Sequence, residues 1–205
     1  MTTTIIATKD MVRHCFDVLH NKFDDKYAIG KQSFRNDACG LFITLRTASH
    51  ALRGCMGSLK AIPLYKGLTN YTIISAFNDP RFPDVKKSEL SSLNIEVSLI
   101  YDKEDITNNG SDWVIGTHGL AIEFKVNGKE YNATYLPDVA REQHWSKEAA
   151  VHQLIRKAGY DGPITNDVGL FEYFRRYRYL TSKASMNHDE YVTLTTANSD
   201  RQRKK

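Results

Sequence analysis

The chain alternates short stretches of helical and strand periodicity, with polar turns between them. Apolar side chains recur every four residues at Met11, Cys15, Leu19 and Phe23, and this spacing predicts an amphipathic helix over residues 8–23. Because Cys15 lies on that apolar stripe, we expect it to be a packing residue rather than a reactive one.

Two β-hairpins are predicted from alternating apolar positions. The first joins CGLFITLR (39–46) to ALRGCMGSL (51–59) through a polar turn. The second spans residues 119–137, where the dipeptide Asn127-Gly128 is typical of a type I′ turn. Hairpins join antiparallel strands, so these patterns predict a mostly antiparallel sheet with flanking helices.

The remaining elements complete an α+β pattern. Strands and helices follow one another without the regular βαβ alternation of a doubly wound parallel sheet, so we predict an α+β fold. The folded domain is predicted over residues 8–182, and residues 183–205 are predicted to be a polar, flexible C-terminal tail. The other predicted elements are helices over 63–77, 86–93 and 146–158, strands over 93–101 and 169–180, and a polar loop over 102–113.

The composition is that of a globular protein and narrows the function classes. Of the 205 residues, 41% are hydrophobic and 25% are charged, and the net charge of +4 neither requires nor excludes a polyanionic partner. No apolar run approaches the roughly 20 residues of a membrane helix, so no membrane association is predicted. The chain has no GxGxxG and no Walker sequence, which leaves nucleotide-binding sites without support.

Cysteine and histidine spacing bears on compartment and metal binding. Cys15, Cys39 and Cys55 are too widely spaced for a disulfide framework or a zinc ribbon, and they predict a reducing compartment, the cytoplasm or the nucleus. The seven histidines form no HExxH motif and no tight Cys/His cluster, so no metal site is predicted. The terminal RQRKK is either a solvated tail or a nuclear-import patch, and we expect the tail.

The stretch LRGCMG (52–57) is the first candidate for chemistry. In a regular strand, Arg53, Cys55 and Gly57 share one face, which places a fixed positive charge two residues from the thiol. A nearby cation stabilises a thiolate, and nucleophilic catalysis also needs a base within reach. The candidate bases are three histidines that the sequence cannot place: His118, His144 and His152.

A structural interpretation of the same stretch stays open. Cys55 would then be a small buried residue, and Gly54 and Gly57 would allow tight packing against the helix that begins near Pro63. From the residues alone, this interpretation is the more common arrangement.

The rigid turn NDPRFPDV (78–85) is the second candidate. Asp79 and Arg81 flank Pro80, so two opposite charges lie on a segment with little conformational freedom. The turn is either a binding element or a capping turn in which Asp79 accepts hydrogen bonds from backbone after the helix. The residues alone favour the capping turn.

The arginine-rich stretch YFRRYRYL (173–180) is the third candidate. Strand alternation places Arg175 on one face with the aromatic residues Phe171, Tyr173, Tyr177 and Tyr179. Interleaved aromatic and arginine side chains can stack bases and neutralise phosphates, but they also fit a strand whose arginines form ion pairs. Because the net charge is low, nucleic acid is a weakly supported partner.

The order of these stretches resembles that of the AMMECR family, which is named after a chromosomal region linked to Alport syndrome with elliptocytosis. LRGC-x-G is the hallmark of that family, and the similarity covers about residues 10–182. DWVIGTHG and YLPDVAREQHW resemble the eukaryotic branch, whereas Met56 and Ser58 stand where the hallmark most often has Ile and Thr. The matching stretches are LRGCMG, NDPRFPDV, LNIEVSL, DWVIGTHGLAIEF, ATYLPDVAREQHW and KAGYDGPIT.

The resemblance implies a single α+β domain of two unequal lobes, with the hallmark strand near the cleft between them. It also implies one of two roles: an enzyme that uses the hallmark cysteine, or a regulatory role linked to transcription, replication, repair or translation. In prokaryotes the domain is found with Memo-type and radical-SAM proteins, which points to a shared pathway.

We therefore predict a site around the LRGCMG strand, with Cys55 and Arg53 as the catalytic candidates. The predicted function is a cysteine-dependent enzyme, and the alternative is a non-catalytic regulatory or interaction protein. The partner would be a small molecule or a protein, and the residues indicate no particular cofactor. The candidate substrate-binding residues are Gly54, Gly57, Asp79, Arg81 and His118.

Overall fold

The structure is a computed structural model that describes residues 5–164 and 171–203, with side chains up to residue 196. The strands hydrogen-bond in the order β2-β1-β3-β6-β4-β5. None of the helices in the described ranges is long and apolar enough to cross a membrane. The helices are α1 (Lys9–Phe23), α2 (Leu64–Phe77), α3 (Pro137–Glu142), α4 (Lys147–Lys157) and α5 (His188–Arg203), and the strands are β1 (Ala38–Arg46), β2 (Leu52–Pro63), β3 (Asn94–Asp105), β4 (Gly119–Val126), β5 (Lys129–Tyr135) and β6 (Tyr173–Asn187).

Antiparallel pairing confirms the predicted α+β class. Strand β1 pairs antiparallel with β2 and β3, and β4 pairs antiparallel with β5 and β6. The chain divides into two compact units, of which unit 1 comprises Met1–Ile100 with Ser182–Lys205 and unit 2 comprises Tyr101–Thr181. Strands β3 and β6 each contribute residues to both units.

The core of unit 1 lies between two strands and the helices α1 and α2. Leu41, Ile43 and Leu45 of β1 are fully buried, and the alternating positions Ile95, Val97 and Leu99 of β3 are buried beside them. The register pairs Ile43 with Val97, so these rows share one face of the sheet. Each such side chain contributes about 1.5–3 kcal/mol through removal from water.

The core of unit 2 is centred on Phe124 of β4. Its ring stacks on Tyr131 at a centroid distance of 5.1 Å and on Phe174 at 5.5 Å. Leu154 of α4 is fully buried in the same cluster. The predicted turn between β4 and β5 is confirmed, since Asn127 and Gly128 have φ values of 49° and 77°, as a type I′ turn requires.

Two segments carry more secondary structure than the sequence predicted. The expected loop over 102–113 begins as strand, because β3 continues to Asp105, and a 3-10 helix follows at Thr107–Asn109. This extension is charged, so it lacks the apolar alternation on which the prediction relied. Pro137, which was expected only to end the hairpin, is the first residue of α3, a position where its missing N–H costs nothing.

The predicted flexible tail is a further difference. Strand β6 extends to Asn187 and α5 follows at once, with Met186 and Tyr191 buried in the core of unit 1. The Tyr191 ring stacks on Phe16 at 4.9 Å, and its hydroxyl donates to Asp17 at 2.9 Å. The prediction failed because so few apolar side chains anchor this segment, and its overall composition resembles that of a solvated tail.

Docking of α5 can be tested at Tyr191. We expect Tyr191→Ala to lower the free energy of unfolding by about 3–5 kcal/mol, because it removes a buried aromatic ring. The measurement is urea unfolding followed by circular dichroism. The control is Val192→Ala on the same helix turn, whose side chain is exposed and whose loss should change stability by less than about 0.5 kcal/mol. Equal effects of the two substitutions would contradict the docked position of α5.

Candidate functional site

The LRGCMG strand contains a β-bulge at Arg53. Leu45 pairs with Gly54 and Arg46 pairs with Leu52, so Arg53 is an additional residue between two consecutive rungs of the ladder. The regular alternation that the sequence predicted therefore breaks at this position. Bulges redirect a side chain relative to the regular pleat.

The Arg53 side chain is fixed by the segment that follows α2. Its Nε donates to Glu89 Oε1 at 2.8 Å, and its Nη2 donates to Glu89 Oε2 at 3.1 Å, which forms a two-pronged ion pair. Its Nη1 donates to the Pro83 carbonyl at 2.8 Å, and Nη2 also donates to the Asp84 carbonyl at 3.2 Å. With only 12% of the side chain exposed, Arg53 holds the loop in place.

Asp79 and Arg81 cover the outer edge of β2 at Cys55. Strand β2 is at the end of the sheet order, so no strand of the described chain pairs with its outer side. The Cys55 N–H donates to Asp79 Oδ2 at 2.9 Å, and Arg81 Nη2 donates to the Cys55 carbonyl at 3.0 Å. Two side chains thus satisfy the backbone groups that a neighbouring strand would otherwise satisfy.

The Asp79–Arg81 pair is itself tightly bound. Arg81 Nη2 donates to Asp79 Oδ2 at 2.7 Å, and Arg81 Nε donates to Asp79 Oδ1 at 2.9 Å. Only 2% of the Asp79 side chain is exposed, against 49% for Arg81. The Arg81 guanidinium, supported by the Cys55 N–H, lowers the pKa of Asp79 to about 2. Asp79 is therefore a charged, buried anchor at neutral pH.

The Cys55 side chain lies beside Thr44 of β1. Thr44 is opposite Cys55 in the hairpin register, and its Oγ1 is 3.3 Å from Cys55 Sγ. Thr44 is buried, whereas Cys55 is only partly buried. The hydrogen bond to Asp79, together with the charge of that carboxylate, raises the pKa of Arg81 above its ordinary value. Arg81 is also a cation that hydrogen-bonds to Cys55, through the Cys55 carbonyl.

The two glycines of the stretch are explained by close packing. A Cβ on Gly54 would lie 2.1 Å from the Ser75 carbonyl oxygen of α2, and one on Gly57 would lie 2.4 Å from the Phe42 ring. The Ser75 hydroxyl fixes this contact, because it accepts from the Met56 N–H at 3.0 Å and donates to the Ile43 carbonyl at 2.9 Å. The predicted role of Gly54 and Gly57 in substrate binding stays a prediction.

The other two cysteines differ from Cys55 in their surroundings. Cys15 is fully buried on α1, and burial raises its pKa to about 12. Burial also raises the pKa of Cys39 to about 11, with a contribution from Asp37. None of the three cysteines is in a disulfide. Of the three, only Cys55 combines partial exposure with a nearby cation.

His118 lies in unit 2 and has separate surroundings from the Cys55 cluster. Its Nδ1 accepts the Val114 N–H at 3.0 Å, and burial, followed by the charge of Arg178, lowers its pKa. Together with Trp113 and Pro137, it lines an apolar pocket of unit 2. Its predicted role in substrate binding stays a prediction. His144 and His152 also lie in unit 2.

One of the three arginines in the arginine-rich strand is ion-paired within unit 2. Arg178 forms ion pairs with Glu104 at 2.6 Å and with Asp112 at 2.8 Å. Arg176 packs over the Phe174 ring, and burial lowers its pKa. Arg175 is exposed beside Tyr173, so one of the three arginines turns its charge outward. Arg178 thus fits the ion-paired interpretation, and nucleic-acid binding by this stretch stays a prediction.

Alternation correctly predicted part of the aromatic face of β6. Phe171, which was expected on the face of Arg175, precedes the strand and packs on Phe124 in the core of unit 2. Residues 169 and 170 of the predicted strand lie outside the described residues. Because β6 begins at Tyr173, the alternation of side chains along a strand does not apply to Phe171.

Two residues of the cluster were missed by the sequence interpretation. Thr44 becomes a neighbour of Cys55 only through the hairpin register, which a one-residue shift would change. Glu89 meets Arg53 across 36 positions, and it also accepts the Lys86 N–H at 2.8 Å at the start of the 3-10 helix Lys87–Ser92. The capping of that helix is the one local signal that could have singled out Glu89.

Known proteins share both the sequence and the fold of this chain. Residues 12–180 match the family model described as AMMECR1. An uncharacterised protein of Arabidopsis thaliana is 36% identical over 94% of this chain and 91% of its own length, and one of Schizosaccharomyces pombe is 33% identical over 90% and 95%. The crystal structure of an uncharacterised protein from Pyrococcus horikoshii superposes with a TM-score of 0.72 at 26% identity, covering 88% of this chain and 93% of that chain.

The structural role of Arg53 can be tested by a charge-conserving substitution. We expect Arg53→Lys to lower the free energy of unfolding by about 2–4 kcal/mol, because a lysine cannot form the two-pronged pair or reach both carbonyls. The control is Arg35→Lys, whose side chain is 78% exposed and forms an ion pair with Asp37. If Arg53→Lys is as stable as this control, then the contacts of Arg53 with Glu89 and with the two loop carbonyls do not stabilise the fold.

The anchor at Asp79 predicts a pH dependence of stability. The folded-state pKa of about 2 is below the ordinary value of 3.8, so the charged carboxylate stabilises the fold above about pH 4. This contribution, about 2 kcal/mol, is lost as the pH falls from about 4 towards 2.

The measurement compares the free energy of unfolding of the native protein and of Asp79→Asn across this range. We expect the difference to shrink as the pH falls, whereas Asp25→Asn, at an exposed loop position, should track the native protein throughout. A difference that does not change with pH would contradict the anchoring role of the carboxylate.

Proposed function

The chain belongs to the AMMECR1 family, and we propose that its LRGCMG strand carries a cysteine-dependent reaction site in which Arg81 supplies the positive charge. One observation carries the proposal: a hydroxyl group and a cation lie beside Cys55. The Thr44 hydroxyl is 3.3 Å from the sulfur, and the Arg81 guanidinium is hydrogen-bonded to the carbonyl of the same cysteine. A hydroxyl donor and a cation both favour a thiolate over a thiol.

In this proposal Cys55 acts as a nucleophile. The thiol loses its proton to water before attack, because neither Thr44 nor Arg81 is a base at neutral pH. The thiolate accepts a hydrogen bond from Thr44 and attacks an electrophilic carbon of the substrate, so that a carbon–sulfur bond forms while the bond from that carbon to the leaving group breaks and the leaving group takes the electron pair. Arg53 positions the loop that carries Arg81, so it supports the site without reacting.

The substrate in this proposal is a small molecule with an anionic group. Arg81 uses Nε and Nη2 for Asp79 and for the Cys55 carbonyl, and within the described residues no acceptor is seen for Nη1. About half of this side chain is exposed. A guanidinium nitrogen that faces solvent beside a thiol can bind a carboxylate or phosphate group.

A non-catalytic regulatory or interaction protein is the second candidate. Two observations favour it. Arg53 and Asp79 both make contacts that stabilise the fold, and close packing explains why glycine occupies positions 54 and 57. The hallmark would then stabilise a surface for a protein partner with a role in transcription, replication, repair or translation. For either function we propose the cytoplasm or the nucleus, where cysteines stay reduced.

Alkylation kinetics test the reactivity of Cys55. We expect iodoacetamide to modify Cys55 in the native protein at pH 7 faster than a thiol of the unfolded chain, because Thr44 and Arg81 favour the thiolate. Rates are measured by peptide mass spectrometry, with the buried Cys15 and Cys39 as unreactive controls in the same molecule. Reaction of Cys55 no faster than in the unfolded chain would exclude the nucleophile.

Charge selectivity separates the role of Arg81 from simple exposure. The ratio of the alkylation rate with anionic iodoacetate to the rate with neutral iodoacetamide should be higher for Cys55 in the native protein than for a thiol of the unfolded chain. This ratio should fall in Arg81→Gln, which removes the positive charge, and should persist in Arg81→Lys, which keeps it. Thr44→Val should slow both reagents alike. Equal preference in Arg81→Gln and the native protein would contradict an anionic substrate.

A Cys55→Ser variant distinguishes the two functions. If that variant is stable and fully rescues a deletion phenotype, the interaction protein is supported. If it is stable but inactive, the cysteine-dependent enzyme is supported.

A further inference from the structure

A glutamate of β3 lies in the same cross-strand row as Cys55. Thr44 of β1 is opposite Cys55 in the register of β1 with β2, and it is opposite Glu96 in the register of β1 with β3. Residues directly opposite each other in antiparallel strands place their side chains on the same face of the sheet. The thiol, the hydroxyl and the carboxylate therefore form one row across three strands, all within unit 1.

The spacing of this row places Glu96 one residue beyond the neighbour of the sulfur. Adjacent strands are about 4.7–4.9 Å apart, so the backbones at Cys55 and Glu96 are separated by roughly 9–10 Å. Thr44 occupies the position between them and is 3.3 Å from the sulfur. A carboxylate at such a distance acts on a reacting carbon through one intervening water molecule rather than on the sulfur itself.

Two contacts hold the Glu96 carboxylate in place. The Ser98 hydroxyl, two residues further along β3, donates to Glu96 Oε1 at 3.3 Å, and Lys183 Nζ of β6 is 3.7 Å from the same oxygen. In the described part of the chain, no hydrogen-bond donor is seen for Oε2. One oxygen of the carboxylate is therefore held by the sheet, and the other can accept a proton.

A purely structural ion pair explains Glu96 less well. The ion pair of Arg53 that holds the loop has a nitrogen–oxygen distance of 2.8 Å, as a charge-assisted hydrogen bond has, whereas Lys183 is 3.7 Å from Glu96. The row is also not an ordinary solvated face of a sheet. Thr44 and Ser98 are both buried, and only 28% of the Glu96 side chain is exposed.

We propose that Glu96 is the general base of a second, hydrolytic step, an inference that rests on the cysteine-dependent reaction proposed above. The substrate is then an ester or an amide, whose carbonyl carbon forms a thioester with Cys55 in the first step. In the second step Glu96 takes a proton from a water molecule while the water oxygen attacks the thioester carbon. The carbon–sulfur bond breaks, its electron pair returns to the sulfur as a thiolate, and a carboxylic acid leaves. Glu96 then releases its proton to solvent.

The test follows the loss of an acetyl group from Cys55 in the full chain. The protein is treated with p-nitrophenyl acetate at pH 7, excess reagent is removed, and acetylated Cys55 is measured over time by peptide mass spectrometry. We expect the native protein and Glu96→Gln to be acetylated at similar rates, but Glu96→Gln should lose the acetyl group at least about 100-fold more slowly, because it lacks the base. The control is Glu130→Gln, at an exposed strand position, which should lose it as fast as the native protein does.

The outcomes separate the role of Glu96 from the reaction site itself. If Cys55 of the native protein is not acetylated, the reaction site is refuted and the role of Glu96 with it. If Cys55 is acetylated but the native protein keeps the acetyl group, or loses it no faster than Glu96→Gln does, only the role of Glu96 is refuted. If Glu96→Gln does not fold, Ser98→Ala decides the question, since it removes one contact that holds the carboxylate. Slower acetyl loss in that variant would support the base, and an unchanged rate would refute it.

Discussion

The edge of strand β2 is the constraint on which the arrangement around Cys55 depends. An edge strand leaves backbone donors and acceptors without a strand partner, and here the side chains of Asp79 and Arg81 satisfy them at Cys55. Those side chains stay in place because Arg53 holds the following loop through Glu89 and two carbonyls. A bulge directs Arg53 towards that loop. The LRGCMG sequence thus includes a residue, Cys55, whose edge-strand backbone groups are satisfied by side chains.

The residues that the sequence indicated as candidates for catalysis or binding have different roles in the structure. Arg53 and Asp79 hold the fold together, while Arg81 bonds through Nε and Nη2 and has a side chain that is about half exposed. Cys55 is held by its own backbone, so its sulfur has a fixed position beside Thr44. Preorganisation of this kind suits a reaction site, because the groups need no further ordering when a ligand binds.

Local patterns predicted the elements well and the long-range contacts poorly. Periodicity located α1, both hairpins and α2, because a buried face repeats at a fixed spacing. It missed the end of β3, which is charged and lacks apolar alternation. It also missed the helix α5, which is anchored by few apolar side chains such as Tyr191. Contacts such as Thr44 with Cys55, or Arg53 with Glu89, depend on register and on chain reversal. No window of neighbouring residues contains that information.

The hydroxyl of Ser75 has a consequence for how this part of the fold assembles. It accepts a hydrogen bond from the Met56 N–H of β2 and donates one to the Ile43 carbonyl of β1, so one side chain of α2 is bonded to both strands of the hairpin. Gly54 lets α2 come close enough for that contact. We therefore expect the hairpin and α2 to open and close as one cooperative unit, so that the position of Cys55 depends on the docking of a helix that bonds to the next residue, Met56.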